Sequence, residues 1–480
     1  MLRRIRTRFA ATALLLSTTL PALANGRFPR AQRLLEHPSD PDHLVLAATY
    51  GLLVTEDRGA SWSYVCEPSF THEEAYVGDP LIDFTGNQGL LVNVQGSISV
   101  SAADACDWKQ TMGNGDDFIV DHSVSKSNPA VVIAAVVRVN GGSVSNVLRI
   151  SRDNGQTWSP LGSPLPLDTL YTVDIDPLDP EHLHATGMRD DTGQLVSSTD
   201  GGQTWIAHRI ANTDASEIPY LAGIHPLDPQ QLFIRTDSSR SSGDRIAGDA
   251  LLYSSDGGLN FREVFRAPAK LLGFALAPNG SSVLVGFGNP NPSGPTSGDG
   301  IGVFKSSTEN FGFEQVYAGN VNCLTWTMAG VYVCTDEARA GFELGFSQDP
   351  DFRQDGSCIR PLLHRSEVAG PLSCSPGTSG AVCNGTWTSD CQQLGACSGA
   401  GAAPRTECAP FSPPEASNGG ASGASSPAAA GMSAGQADGD CHIGSQAGRS
   451  APTAPLLLIS SIVGSWVTAR RGRYRARLRR

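Results

Sequence analysis

The chain has 480 residues, 40% of them hydrophobic and 17% charged, with a formal net charge of −12. That is too apolar for a disordered chain and too acidic for one that grips nucleic acid or anionic lipid through its general charge. Its 53 glycines and 31 prolines indicate a turn-rich protein, and no long amphipathic helical pattern stands out.

Residues 1–24 read as an export signal. Arg3, Arg4, Arg6 and Arg8 precede the apolar run from Phe9 to Leu20, and Ala22-Leu23-Ala24 has the small-x-small form of a cleavage site. The mature chain is expected to start at Asn25.

From residue 25 to 357 one motif recurs. Thr55-Glu-Asp57-Arg-Gly59-Ala-Ser61-Trp62, Ser151-Arg-Asp153-Asn-Gly155-Gln-Thr157-Trp158 and Ser198-Thr-Asp200-Gly-Gly-Gln-Thr204-Trp205 are full copies, and Ser254-Ser-Asp256-Gly-Gly258-Leu-Asn260-Phe261 is a near copy. Each reads as a tight turn between two strands. The aspartate accepts backbone N–H bonds, glycine supplies the left-handed conformation, and the final aromatic anchors the hairpin. Degenerate copies around Trp108, Phe313 and Phe352 bring the anchors to seven, roughly 40–55 residues apart, which is the period of a β-propeller blade. The prediction is an all-β, seven-bladed β-propeller. The segments Pro38–Pro41, Pro177–Pro180 and Pro226–Pro229 punctuate the same repeat. Each blade should therefore run strand, Pro/Asp turn, strand, variable loop, strand, Asp turn, strand.

These segments resemble the Asp-box (BNR) repeats of sialidases, xyloglucan-active glycoside hydrolases and sortilin-type receptors. The resemblance covers about residues 30 to 355. It implies a propeller fold and a structural role for Asp57, Asp153, Asp200 and Asp256 and their aromatics Trp62, Trp158, Trp205 and Phe261. It also implies that ligands meet the opposite face.

The loops of that opposite face carry the candidate site residues: Arg138, Arg189, Asp190, Asp191, Arg235, Asp237, Arg240, Arg245 and Arg339. Loops on a rigid scaffold are where binding resides. Cys66 to Pro80, with His72, Glu73 and Glu74, should link the first two blades there.

Two functions are in play. The favoured one is a non-catalytic binding or scaffold module for a glycan, peptide or protein. The alternative is an exo-acting, sialidase-like glycoside hydrolase, whose carboxylates would be Asp190 and Asp244. The sialidase set is not visible. Arg27-Phe28-Pro29-Arg30 has the wrong order for the family's arginine element, and Glu217 and Tyr220 are only sequence neighbours. The xyloglucan-active enzymes use two propellers, and this chain has room for one.

Eleven cysteines behind an export signal indicate disulfides. Cys323 and Cys334 flank a hairpin and are expected to pair. Cys66 and Cys106, at the ends of the first two blades, are a second expected pair. Cys358, Cys374, Cys383, Cys391, Cys397 and Cys408 make a Cys-rich segment over 358–408, with fifteen possible connectivities. No Cys-x-x-Cys occurs and His364 stands alone, so no zinc, and no cofactor of any kind, is expected. Asp174, Asp176 and Asp179 lack the glycine and final glutamate of a calcium loop and read as turn residues.

Residues 409–440 are an Ala/Gly/Ser/Pro linker. Residues 441–480 begin at Cys441, continue through an apolar stretch of just spanning length, and end in seven arginines. This resembles the myxobacterial C-terminal surface-sorting signal, with Cys441 at the processing point; the alternative is a plain single-pass anchor. Taking four arginines from the signal and eight from residues 442–480 off the 35 basic groups leaves 23 against 47 acids, a net of −24 for the processed chain. The expected protein is exported and held at the bacterial surface, touching membrane through its C-terminal segment only and binding no nucleic acid.

Overall fold

The structure, a computed structural model, describes residues 29–397 apart from 72–78, 95, 103, 114–116, 141–142, 240, 243–244, 247, 292–296 and 353–357. The signal segment, the linker, Cys408 and Cys441 lie outside the described residues, as does the 441–480 tail. No helix among the described residues is long and apolar enough to cross a membrane.

Among the described residues, all strands but the short pair Ser241–Ser242 and Arg245–Ile246 and the added Gly370–Pro371 fall into seven antiparallel four-stranded units. Their inner strands are Ala31–His37, Leu81–Phe84, Asp117–Val124, Thr169–Ile175, Glu217–Ile224, Lys270–Leu276 and Cys323–Trp326. Each inner strand lies against the next, and the seventh returns to the first, closing a ring. The architecture is a β-propeller.

Side chains and backbone lock the inner ring. Val173 N–H donates to Asp121 Oδ2 at 2.9 Å, Ile175 N–H to Ser123 Oγ at 3.2 Å, and Leu221 N–H to Thr172 Oγ1 at 3.2 Å. Thr325 Oγ1 closes the circle by donating to the Leu34 carbonyl at 2.9 Å.

The second strand of each unit explains its composition. Leu44 to Ala48, Leu90 to Val94 and Val132 to Val136 are buried end to end. A central strand of a propeller sheet packs on a neighbouring unit through both faces, so it reads as an unbroken apolar run. Val45, Leu52 and Val65 of the first unit meet Ile82, Leu90 and Val92 of the second in one such layer. Burying one of these side chains contributes about 1.5–3 kcal/mol.

The Asp turns join the third and fourth strands, and four of them have one geometry. In the third unit Ser151 Oγ donates to Asp153 Oδ1 (2.7 Å) and accepts from Gly155 N–H (2.8 Å). Thr157 gives its N–H to Asp153 Oδ1 (2.8 Å) and its hydroxyl to Oδ2 (2.6 Å). The bonds recur around Asp57, Asp200 and Asp256, within 0.2 Å. Gly155 has φ of +79°, and a Cβ there would sit 2.9 Å from Leu91 Cδ1 of the preceding unit, so glycine is required twice over. Trp158 packs on that same unit and donates to Gly155 O (3.0 Å) and Thr111 Oγ1 (3.2 Å).

Two expectations about the C-terminal region are corrected. The propeller does not end at residue 357: Arg360–Leu363 is the fourth strand of the seventh unit, paired with Leu344–Ser347. The Cys-rich segment that follows is fastened to the first two units. Gly370–Pro371 adds to Ser63–Cys66 of the first unit as a parallel strand, and Leu372 N–H donates to Tyr64 O at 2.8 Å. Cys66 and Cys106 do not pair with each other. Cys66 joins Cys383 (Cα–Cα 5.4 Å) and Cys106 joins Cys374 (5.3 Å), so the segment straps the outside of the first two units. The two cysteines sit on different units, each facing a strap residue at disulfide distance. Cys323 is bonded to Cys334, and Cys391 to Cys397 near the end of the helix Cys383–Leu394.

Candidate functional site

The face opposite the Asp turns is built by the loops between second and third strands and by the links between units. Three of the predicted residues there, Arg138, Arg235 and Asp237, are engaged with other groups of the protein. Arg138 grips Asp117 with both arms of its guanidinium, Nε to Oδ1 at 2.8 Å and Nη2 to Oδ2 at 3.1 Å. Arg149 stands 3.6 Å away. The Arg138 hydrogen bonds outweigh burial and hold the Asp117 carboxyl below its usual range. Arg138 is therefore a fixed brace of the third unit.

Arg189, Asp190 and Asp191 belong to a two-residue hairpin between the strands Leu183–Arg189 and Thr192–Ser198. Asp190 and Asp191 have φ of +50° and +56°. Both central residues are left-handed, the signature of a type I′ turn, where aspartate is tolerated. The Asp190 side chain is 91% exposed and, among the described residues, pairs only with Arg189, at 3.8 Å. This is a turn tip and not one wall of a pocket. Asp244 and Arg240 lie outside the described residues, as do the side chains of Arg245 and Arg339.

Arg235 is different. It lies opposite Tyr220 in the register of the fifth unit, and its guanidinium carbon is 4.6 Å from the centre of the Tyr220 ring. Nη1 donates to the Leu271 carbonyl of the sixth unit at 3.5 Å. Tyr220 in turn meets Tyr171 of the fourth unit, with ring centroids 5.3 Å apart. An Arg–Tyr–Tyr stack thus joins the fifth unit to the fourth, with all three side chains half-buried. Burial pushes the Tyr220 hydroxyl up to about 12.

An ionic group stands at the next residue along the same strand face. Lys270 contacts Asp237 and donates to the Ser238 carbonyl (2.7 Å) and to Asp249 (3.3 Å). Asp249 is buried, accepts the N–H groups of Ser238 and Leu271 at 2.8 Å each, and has its pKa raised by that burial. Burial alone would lower the Lys270 pKa; the two carboxylates raise it. Arg235 and Asp237 are thus the predicted residues that meet in one place. Tyr171, Lys270 and Asp249 were not singled out from the sequence. Folding the chain symmetrically about Pro226–Pro229 puts Tyr220 opposite Arg235, so that part of the stack could have been found.

Chemically, the stack offers an aromatic and guanidinium platform, and the ionic group offers one fixed cation between two carboxylates. The described residues contain no group of three or more His, Cys, Asp or Glu side chains placed to hold a metal ion.

Residues 149–160, the Asp turn of the third unit, match the BNR/Asp-box repeat family. No curated protein matches the chain in sequence. Similar solved structures include an ancestral GH74 enzyme, 14% identical with a TM-score of 0.36, covering 70% of this chain and 38% of that one. An extracellular domain from B. thetaiotaomicron is 11% identical with a TM-score of 0.45, covering 66% of this chain and 38% of its own. The GH74 xyloglucanase from Xanthomonas campestris is 14% identical with a TM-score of 0.29, covering 72% of this chain and 57% of that one. The chain thus spans between about two fifths and three fifths of the length of these proteins.

Proposed function

We propose that the propeller is a non-catalytic binding module that receives a glycan on the Tyr171–Tyr220–Arg235 stack of its loop face. The stack itself carries the reading. Planar rings stack on the C–H faces of sugars, and a guanidinium pinned by Tyr220 and the Leu271 carbonyl keeps its remaining N–H groups in fixed directions. The carboxylates on the Arg235 side of the stack, Asp237 and Asp249, are spent on Lys270. A glycoside hydrolase needs two carboxyl groups facing each other across a substrate, one of them protonated. Asp190 at an exposed turn tip does not favour that role.

The test is a glycan array and a panel of chromogenic glycosides and polysaccharides, both run on the full chain. Saturable binding without turnover, lost in Tyr220→Ala and Arg235→Ala, is expected. Turnover that disappears in Asp237→Asn or Asp244→Asn would overturn the reading in favour of a hydrolase.

The export signal, the linker and Cys441 support display of this module at the cell surface. Protease treatment of intact cells should release the propeller, and Cys441→Ser should alter its retention. Full-length protein found only in the cytosol would refute surface display.

A further inference from the structure

The Asp-turn face carries a cleft of about 570 Å³ between the fifth and sixth units. Its size falls in the range of small-ligand sites. One wall is the turn from His225 to Gln231, the other is the turn around Asn279, and Tyr253 and Arg262 line it from the fifth unit.

The walls are fixed by their own bonds. His225 Nδ1 accepts the N–H groups of Leu227 (3.2 Å) and Asp228 (3.0 Å), which leaves Nε2–H to donate to the Gly280 carbonyl at 3.1 Å. Thr308 Oγ1 donates to that same carbonyl at 2.8 Å, and Tyr253 donates its hydroxyl to Gln231 Oε1 at 2.9 Å. The cleft is therefore tied across both units before any ligand arrives, which spares a ligand the cost of ordering it.

Arg262 is held in place by rings. Its guanidinium carbon lies 5.3 Å from the Tyr253 ring centre and 5.0 Å from that of Phe311. It makes no ion pair among the described residues and is exposed. A guanidinium held against two rings keeps its N–H edge free, as a fork for a planar anion. Asn279 uses Oδ1 to accept from Ser281 N–H (3.0 Å) and Ser281 Oγ (2.8 Å), so its amide N–H₂ is free to donate. Glu309, also lining the cleft, is exposed and accepts hydroxyl donors.

We propose that this cleft binds a uronate unit of an acidic polysaccharide. Arg262 takes the sugar carboxylate, while Asn279 and Glu309 take ring hydroxyls. Among the described residues lining the cleft Arg262 is the one arginine or lysine, and Glu309 carries the opposite charge, so a singly charged carboxylate fits better than a dianionic phosphate. The need for hydroxyl donors at Glu309 selects a sugar over a plain carboxylic acid. This goes beyond the loop-face reading, since it uses the opposite face and different residues.

The experiment is calorimetric titration of the full chain with tetragalacturonate and with its methyl ester, alongside Arg262→Gln, Arg262→Lys, Asn279→Ala and the loop-face variant Tyr220→Ala. Saturable binding of the acid is expected. It should weaken ~10-fold or more with the ester and with Arg262→Gln, and less with Arg262→Lys, which keeps the charge but not the fork. Asn279→Ala should weaken it a few-fold and Tyr220→Ala should leave it unchanged; the asparagine variant keeps the test valid should Arg262→Gln fold poorly. No saturable binding of tetragalacturonate, or equal binding of acid and ester, would overturn the proposal. So would binding that falls in Tyr220→Ala and not in Arg262→Gln, while the loop-face reading would stand.

Discussion

Two sets of carboxylates in this propeller live under opposite rules. Those of the Asp turns sit at the rim, and every one is saturated by hydrogen bonds from its own turn. Bonds from the Thr204 hydroxyl and N–H and from Ser198 hold Asp200 down at about 2. Asp57, Asp153 and Asp256 are lowered in the same way, burial opposing the bonds most at Asp57. The carboxylates of the inner ring face each other across units. Burial and the neighbouring Asp174 carboxylate push Asp121 up to about 8, and burial pushes Asp174 itself up to about 6. Asp83, one unit earlier, is likewise buried, but Arg33 at 3.1 Å and His122 at 3.2 Å hold it well below the usual range. The lesson is that one residue type serves as a local cap where its donors come from its own turn, and as a titratable interface group where its partners come from another unit.

The comparison can be broken most forcefully at the glycine of a turn. Gly155→Val meets both a left-handed backbone and Leu91, and should cost about 3 kcal/mol or more, seen as a large fall in Tm. A loss no greater than that of a surface substitution would show that the turns do not lock neighbouring units together. Next comes the serine that opens the motif. Its hydroxyl accepts the buried Gly155 N–H, so Ser151→Ala strands a buried donor and should cost about 1–3 kcal/mol in urea unfolding.

The inner ring is probed by pH. A carboxyl whose folded pKa is raised binds its proton more tightly in the folded state. Its stabilising contribution is complete below the unfolded value near 4 and is lost as pH climbs through the folded value. Stability should therefore decline between about pH 4 and 8 through Asp121. Asp121→Asn keeps an acceptor for Val173 N–H and removes the charge, so it should flatten the decline in Tm over that range. The effect is read against the charged groups around it: Asp174, Asp83, Arg33, His122 and Lys126. An unchanged slope would show that Asp121 is ionised throughout. The Asp turns have the opposite sign: their contribution is present above the unfolded value and disappears as pH falls from about 4 to 2. The smallest effect belongs to the exposed hairpin tip, where Asp190→Asn keeps a residue that tolerates φ of +50° and should stay within about 0.5 kcal/mol of the parent in thermal unfolding.

The fold class, the repeat, the Asp turns and the Cys323–Cys334 hairpin were legible in the sequence because each depends on residues close together along the chain. Ser151, Asp153, Gly155 and Thr157 carry all the donors and acceptors their turn needs, so the pattern survives in the letters alone. The partners of Cys66 and Cys106 lie 317 and 268 residues away, in the strap. The Tyr171–Tyr220–Arg235 stack draws on two units, and the Arg262 cleft opens between the fifth and sixth. These were decided by ring closure, which sets distant strands side by side and leaves no periodic mark at either end of the contact.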